Sequence, residues 1–269
     1  MELIVIFLST LLFSTIIFIF FVVKGGFNKK YLYSDNFLLG SISSVIVYII
    51  YLYSNIPFFI LIPFINGFIV LILFLLLFFY RFFRNPDRII TGNKNDIVSS
   101  ADGRIIYIKE LEINQIPVTI KKLRIANINE ITKTDILTQP CYLIGIAMTL
   151  FDVHINRSPI DGQIILIKHT EGTSIGLNTP ISTLQNERNT VVIKRDDEVM
   201  AGIVQIAARG VNRCIVLENE GTKVKRGQII GKIRWGSQLD MIIPRNCHIY
   251  IREGEQVYAG STIIAKLLD

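Results

Sequence analysis

Cysteine is scarce in this 269-residue chain: Cys141, Cys214 and Cys247 are odd in number and show no C-x-x-C spacing. That excludes a disulfide framework and a thiol-based zinc site, and leaves free core thiols in a reducing compartment. No metal is expected. Lysine and arginine are missing ahead of the first apolar run, Leu3 to Val23, and no small-residue cleavage site follows it. The run therefore does not read as a secretory signal. Beyond Arg84 no basic stretch is interleaved with aromatics, which argues against nucleic-acid binding. Helical periodicity is weak there, and no heptad-rich segment is visible.

Apolar residues, by contrast, are in excess. They make up 51% of the chain, with a mean hydropathy of +0.46, and nearly all of the surplus lies before Arg84. Three runs carry it: Leu3 to Val23, Phe37 to Tyr53, and Ile56 to Phe83, the last interrupted by Pro57 and Pro63. A bilayer core needs about 20 apolar residues in a helix. The first and third runs clear that length; the second reads either as a short span or as half of a re-entrant hairpin with the third. Lys24, Lys29 and Lys30 follow the first run, and Arg81, Arg84 and Arg88 follow the third. Basic flanks stay in the cytoplasm, so three spans would place both clusters, and the rest of the chain, on the cytoplasmic side of the cell (inner) membrane. The net charge of +6 fits these flanks plus ordinary scatter. A sharper reading is a surface favouring anionic headgroups, at about 1 kcal/mol per nearby basic residue.

Two regions follow: 1–83 as a membrane anchor of two to three helices, and 84–269 as a globular domain. From Asp96 onward the pattern is of short β-rich runs bounded by turn residues. Ile105 to Ile108, Gln163 to Ile167, Val191 to Ile193, Ile203 to Ala207, Cys214 to Leu217 and Ile249 to Ile251 read as strands. Asp102-Gly103 and Asp161-Gly162 read as hairpin turns, and 130–140 and 180–186 are left unassigned. Two later segments resemble each other: Gly221-x-x-Val224-x-x-Gly227 and Gly254-x-x-Val257-x-x-Gly260, each followed by an apolar pair. This is the look of the small β-sandwich, or barrel-sandwich, of lipoyl carriers and membrane adaptors. The expected fold class is mostly β, sandwich-like, with N-terminal transmembrane helices.

Five separated stretches carry the chemistry: Phe82-Phe-Arg-Asn-Pro-Asp-Arg88, Ser100-Ala-Asp-Gly-Arg104, Phe151-Asp-Val-His-Ile-Asn-Arg-Ser-Pro159, Asn186-Glu-Arg-Asn189 and Arg234-Trp-Gly-Ser-Gln-Leu-Asp240. In this order, from about Phe82 to Pro244, they resemble the phosphatidylserine decarboxylase family, and specifically its short prokaryotic branch. The resemblance implies an enzyme that decarboxylates phosphatidylserine to phosphatidylethanolamine in the membrane. It implies self-cleavage between Gly236 and Ser237, giving chains 1–236 and 237–269 that stay together as an α/β heterodimer, with higher oligomers left open. A serine hydroxyl can attack the preceding carbonyl if the backbone is held in a strained turn, and glycine permits that geometry. The ester then eliminates to dehydroalanine, which hydrolyses to a pyruvoyl group and ammonia. That covalent pyruvoyl group forms a Schiff base with the substrate amine and accepts the electrons released with carbon dioxide, the role pyridoxal phosphate plays elsewhere.

His154 is the candidate proton-transfer group, its ordinary pKa suiting work near neutrality. His169 and His248 match no motif. The resemblance assigns Asp102 to maturation, while a plain turn Asp-Gly competes evenly with that role; Asp161-Gly162 is the same dipeptide without a task. Long relatives carry a second histidine where Arg157 stands. Arginine cannot be a base at neutral pH, so Arg157, with Asn156, is expected to bind the substrate carboxylate or phosphate. Asn85, Trp235 and Gln238 replace the usual Asp, Phe and Arg of their motifs. Two rivals remain: a membrane-anchored lipoyl-like adaptor without catalysis, and a decarboxylase of another serine phospholipid.

Overall fold

The computed structural model describes residues 1–25, 29–90, 92–112, 132, 134, 137, 140–172, 185–207, 214–233 and 237–268. The unassigned stretches 130–140 and 180–186 fall mostly outside these residues. Two compact units emerge: Met1–Arg84 with Thr149–Phe151, and Asn85–Met148 with Asp152–Asp269.

The first unit is helical: α1 (Glu2–Gly25), α2 (Lys30–Tyr53), the short α3 (Phe58–Ile60), a π-helical turn Leu61–Asn66, and α4 (Gly67–Phe83). Three stretches, Glu2–Lys24, Lys30–Tyr53 and Phe58–Phe83, are long and apolar enough to cross a membrane. The second run is thus a full-length helix that begins seven residues earlier than its apolar character does. Its polar start is tolerated because Asp35 pairs with Arg81 at 2.6 Å. Asn36 accepts from Ser14 and donates to Thr15 Oγ1, while Asn66 donates to Ser9 Oγ at 2.9 Å. Such bonds hold helices together where no water can satisfy the groups. The π turn contains Pro63, whose missing N–H an ordinary α-helical ladder would leave as a gap. Phe18, Phe74, Phe78 and Phe151 pack together in the unit's core, and Leu8, Leu12, Phe20 and Leu76 are exposed on its outside.

The second unit is the β-sandwich-like body expected. Its strands among the described residues are β1 (Asp96–Val98), β2 (Gly103–Leu111), β3 (Cys141–Met148), β4 (Ile155–Arg157), β5 (Gly162–Thr170), β6 (Arg188–Lys194) and β7 (Met200–Ala207). They continue as β8 (Cys214–Val216), β9 (Lys223–Val224), β10 (Ile229–Ile233), β11 (Ser237–Pro244), β12 (Cys247–Ile249), β13 (Gln256–Val257) and β14 (Ile263–Leu267). An eight-stranded sheet runs β13-β2-β3-β11-β7-β6-β5-β9, and two three-stranded sheets run β1-β14-β12 and β4-β10-β8. The main core lies between them and includes Ile97, Ile146, Ile193, Leu239, Met241 and Ile264. Cys141, Cys214 and Cys247 are buried, free thiols.

The register exposes an internal two-fold likeness. Gly103 and Arg104 pair with Val257 and Gln256, as Gly162 and Gln163 pair with Val224 and Lys223. β2–β3 and β5–β6 share one irregularity, at Ile105/Tyr107 and Ile164/Leu166. Ser99 Oγ donates to Ala101 O and Ser158 Oγ to Ile160 O. Asp102 accepts from the Ala259 N–H at 2.8 Å, and Asp161 from the Arg226 N–H at 3.0 Å. One copy comprises β4 to β10. The other comprises β1 to β3 and β11 to β14, so the first copy is inserted within the second. Where β6 turns directly into β7 through residues 195–199, the matching pair β3 and β11 is separated by the whole inserted copy.

Two expectations fail here. The Asp-Gly pairs are not hairpins: each marks the corner where the chain leaves a three-stranded sheet for the eight-stranded one. Glycine is required because Gly103 has φ 154° and Gly162 φ 155°, and a Cβ would strike the carbonyls of Ala147 and Lys194 on the adjacent strand. The last strand expected at Ile249 to Ile251 ends at Ile249, where Tyr250 N–H turns to donate to Ile264 O.

The corner reading makes a comparison possible. Gly162→Ala should cost roughly 2–4 kcal/mol, through positive φ and the Lys194 carbonyl together. Gly221→Ala, at φ 86° but facing open space, should cost only about 1 kcal/mol. Thermal unfolding of the detergent-solubilised protein measures both, and equal losses would refute the close-approach account.

Candidate functional site

Ser237 is the first residue of β11, and Gly236, Trp235 and Arg234 lie outside the described residues. The Ser237 backbone pairs with Met148 of β3 on one side and Ala207 of β7 on the other. Ala207 is itself braced by the Asn186-Glu-Arg-Asn189 motif: Asn186 Nδ2 donates to its carbonyl at 2.8 Å, and its N–H donates to Glu187 O. A fragment beginning at residue 237 would thus remain knitted into the sheet along both edges.

The buried His154 is brought to the same place by the main chain. The Ile233 N–H donates to His154 O at 3.0 Å, so the histidine stands at the end of β10, where the chain enters residues 234–236. Its Nδ1 lies 2.8 Å from Asp152 O. A carbonyl only accepts, so Nδ1 carries the proton and Nε2 is the basic nitrogen of the neutral ring.

Asp102 is 2% exposed. Besides the Ala259 N–H, which its counterpart Asp161 matches, it pairs with Arg88 Nη2 at 2.7 Å. Burial raises its pKa, opposed by the Arg88 charge and the Ala259 hydrogen bond and assisted by nearby Asp152. What distinguishes Asp102 from the exposed Asp161 is therefore burial and a cation, not the turn. Asp152 links the two halves of the site, since it interacts electrostatically with Asp102 and its carbonyl holds His154.

Arg157 donates to Gly227 O at 2.9 Å, Asn85 Oδ1 at 3.1 Å and Pro86 O at 3.4 Å. The asparagine that replaces the usual aspartate of its motif is thus one of its partners. Asn156 is fully buried; its Oδ1 accepts from Gln205 Nε2 at 2.8 Å.

Sequence reasoning missed a second buried cluster. Asp240 is wholly buried, and its Oδ1 accepts from Tyr107 Oη and from Gln238 Nε2, each at 2.7 Å. Gln238, where the family pattern has arginine, also donates to Tyr107 Oη. The Tyr107 ring lies across Gly145, where any Cβ would collide with it. Burial, outweighing these hydrogen bonds and the more distant Lys109 and Arg188 charges, pushes the Asp240 carboxyl up to about 6. Gln238 and Asp240 stand in the last of the five motifs, but their partner Tyr107 had only the weak signal of a glycine, Gly145, opposite it on β3.

A sequence model of the family described as phosphatidylserine decarboxylase matches residues 75–265. A protein of Methanocaldococcus jannaschii named putative archaetidylserine decarboxylase proenzyme is 44% identical over 191 residues, covering 71% of this chain and 90% of that relative. A similarly named protein of Methanothermobacter thermautotrophicus is 33% identical, covering 70% of this chain and 80% of its own length. A phosphatidylserine decarboxylase proenzyme of Syntrophus aciditrophicus is also 33% identical, over 69% and 78%.

Asp240 makes stability depend on pH. Its folded value near 6 exceeds the ordinary 3.8, so the folded chain holds the proton more tightly than the unfolded one. The associated stability is present below about pH 4 and is lost as pH rises through about 6, at up to about 1.4 kcal/mol per unit. Asp240→Asn keeps the Oδ1 acceptor and removes the charge. The variant should be more stable than the parent at pH 8, by roughly 1–3 kcal/mol, with the difference closing toward pH 4. Denaturant midpoints across that range measure it; a pH-independent difference would contradict the assignment.

Proposed function

The chain belongs to the phosphatidylserine decarboxylase family, and on that premise we propose that it converts phosphatidylserine to phosphatidylethanolamine after cutting itself between residues 236 and 237. The observation that carries this is the position of Ser237: it heads a strand paired on both edges, and the chain just before residues 234–236 is bonded to the His154 main chain. In the maturation step the Ser237 hydroxyl adds to the Gly236 carbonyl and the peptide nitrogen leaves, giving an ester. Elimination then frees the Gly236 carboxylate and leaves dehydroalanine, and water converts this to the pyruvoyl group with loss of ammonia. The residues present fit such a group, because the new end stays anchored by β3 and β7. When formed, it supplies an electron-withdrawing carbonyl for the substrate amine.

The chain's own residues do the rest. His154 Nε2, basic by virtue of the Nδ1 contact, moves the proton. Asp102, held beside Arg88, serves maturation. Asn156 and Arg157 bind the anionic headgroup, Arg157 with the donors that Gly227, Asn85 and Pro86 leave over. The products 1–236 and 237–269 remain as an α/β pair. Relatives named for archaetidylserine share with phosphatidylserine the serine on which this reaction acts. Nothing favours the lipoyl-like adaptor, whose resemblance lay in the two glycine segments now accounted for by the internal likeness.

The catalytic unit is read as cytoplasmic at the inner membrane, from the Lys24/Lys29/Lys30 and Arg81/Arg84/Arg88 clusters. A reporter fused after Asp269 should give a cytoplasmic signal; an external one would overturn the orientation.

A variant panel tests the chemistry, with processing followed by gel and intact mass and turnover by carbon dioxide release. Ser237→Ala should remain full-length and inactive, and a small fragment from it would refute the mechanism. His154→Ala should cleave but turn over about 10²–10⁴-fold more slowly. Asp102→Asn, which keeps an acceptor for the Ala259 N–H, should slow cleavage itself. Wild-type turnover in cleaved His154→Ala would remove that histidine from the site.

A further inference from the structure

The Asn156 amide is asymmetric in its surroundings. Its Oδ1 has a partner in Gln205, while its Nδ2 is buried without a hydrogen-bond partner among the described residues. A buried donor left unused costs about 1–3 kcal/mol, and turning the amide over would point its NH₂ at residue 205 instead. The neighbouring network forbids that turn.

Gln205 Nε2 donates to Asn156 Oδ1 at 2.8 Å and to Ile215 O at 3.2 Å. A main-chain carbonyl only accepts, so Gln205 cannot present its oxygen there. Gln205 Oε1 in turn accepts from Asn189 Nδ2 at 3.1 Å. Asn189 is fixed the same way: Nδ2 also donates to Cys214 O at 2.9 Å, and its Oδ1 lies 2.7 Å from His169 Nδ1. Two carbonyls thus set the direction of the whole chain. Were Asn156 reversed, its NH₂ would face the NH₂ of Gln205. Space is set as carefully as polarity, because a Cβ on Gly231 would come within 2.7 Å of Gln205 Nε2. Gly231 is also the β10 register partner of Asn156.

The network adjoins the cleavage strand. Gln205 pairs with Leu239, two positions along β11 from Ser237. Asn156 lies two residues past His154 on the strand paired with the end of β10.

We infer that Gln205 and Asn189 are positioning residues that lock the Asn156 amide with its N–H groups presented to an anionic oxygen of the substrate, the serine carboxylate or the phosphate. This rests on the function proposed above. It extends that function to residues outside the headgroup-binding pair, and explains why the fold maintains a buried donor with nothing among the described residues to bond.

Gln205→Glu is the test, because a carboxylate has the same shape but cannot donate. Asn156 would then turn its NH₂ toward residue 205 and withdraw it from the substrate. With serine phospholipid in mixed micelles, the variant should still cleave itself, so failure of the parent to cleave would instead count against the proposed function. KM should rise roughly ten- to a hundredfold, the loss of one hydrogen bond to a charged group, with a smaller change in kcat. Asn156→Ala should raise KM similarly, and the double variant should be no worse than Asn156→Ala alone, as required if Gln205 acts only through Asn156. If Gln205→Glu does not yield folded protein, Gln205→Met removes the donor that fixes Asn156 without adding a charge and should raise KM in the same direction. An unchanged KM in a cleaved variant would overturn the inference, as would additive losses in the double variant.

Discussion

β11 is hydrogen-bonded along both edges, and much of the β unit follows from keeping it so. If the peptide bond before it is broken, as proposed, the strand cannot lean on its covalent neighbour. It needs the ladder itself, and the pairings of Ser237 with Met148 and Ala207 supply that from the first residue. Antiparallel pairing on two sides also buries the strand, as the enclosed Leu239, Met241 and Ile243 show. Its single carboxylate must therefore live without water. Tyr107 and Gln238 answer that need in part, and the raised Asp240 pKa records what they leave unmet.

Much of this was legible in the sequence. Three apolar runs gave three helices, and alternating short segments gave a β body. Five motifs identified the family, and the two Gly-x-x-Val-x-x-Gly segments were real repeats. What was misread was context. Asp-Gly between apolar stretches is a hairpin signal only if the flanking strands pair with each other, and here they belong to different sheets. The start of α2 was hidden because Asp35 and Asn36 look unfit for a membrane until Arg81, Ser14 and Thr15 are seen opposite them. Gln205 could not have been found, since nothing local distinguishes a buried network amide from an ordinary strand residue, and Tyr107 had only the glycine opposite it.

The motifs also divide differently in space than along the chain. In Phe82-Phe-Arg-Asn-Pro-Asp-Arg88, Arg84 bonds to the carbonyls of Arg81 and Phe151 within the helical unit. Asn85 and Arg88 serve Arg157 and Asp102 in the other. Asn186-Glu-Arg-Asn189 reaches the chemistry through Ala207 at one end and Gln205 at the other. A motif here is a set of supports for several distant partners.

The nested likeness has a historical consequence. Two copies that share a register irregularity, a serine clasp and an aspartate clasp are the expected product of duplication of a single half-size ancestor, one copy having come to lie inside a hairpin of the other. In the inner copy that hairpin survives, and Val199 occupies the place that Ser237 holds in the outer copy. The cleavage proposed between residues 236 and 237 would therefore fall at the seam of the insertion, between β10 and β11. A cut there would separate the inserted copy from the last part of the outer one and leave the pairings of β11 with β3 and β7 untouched.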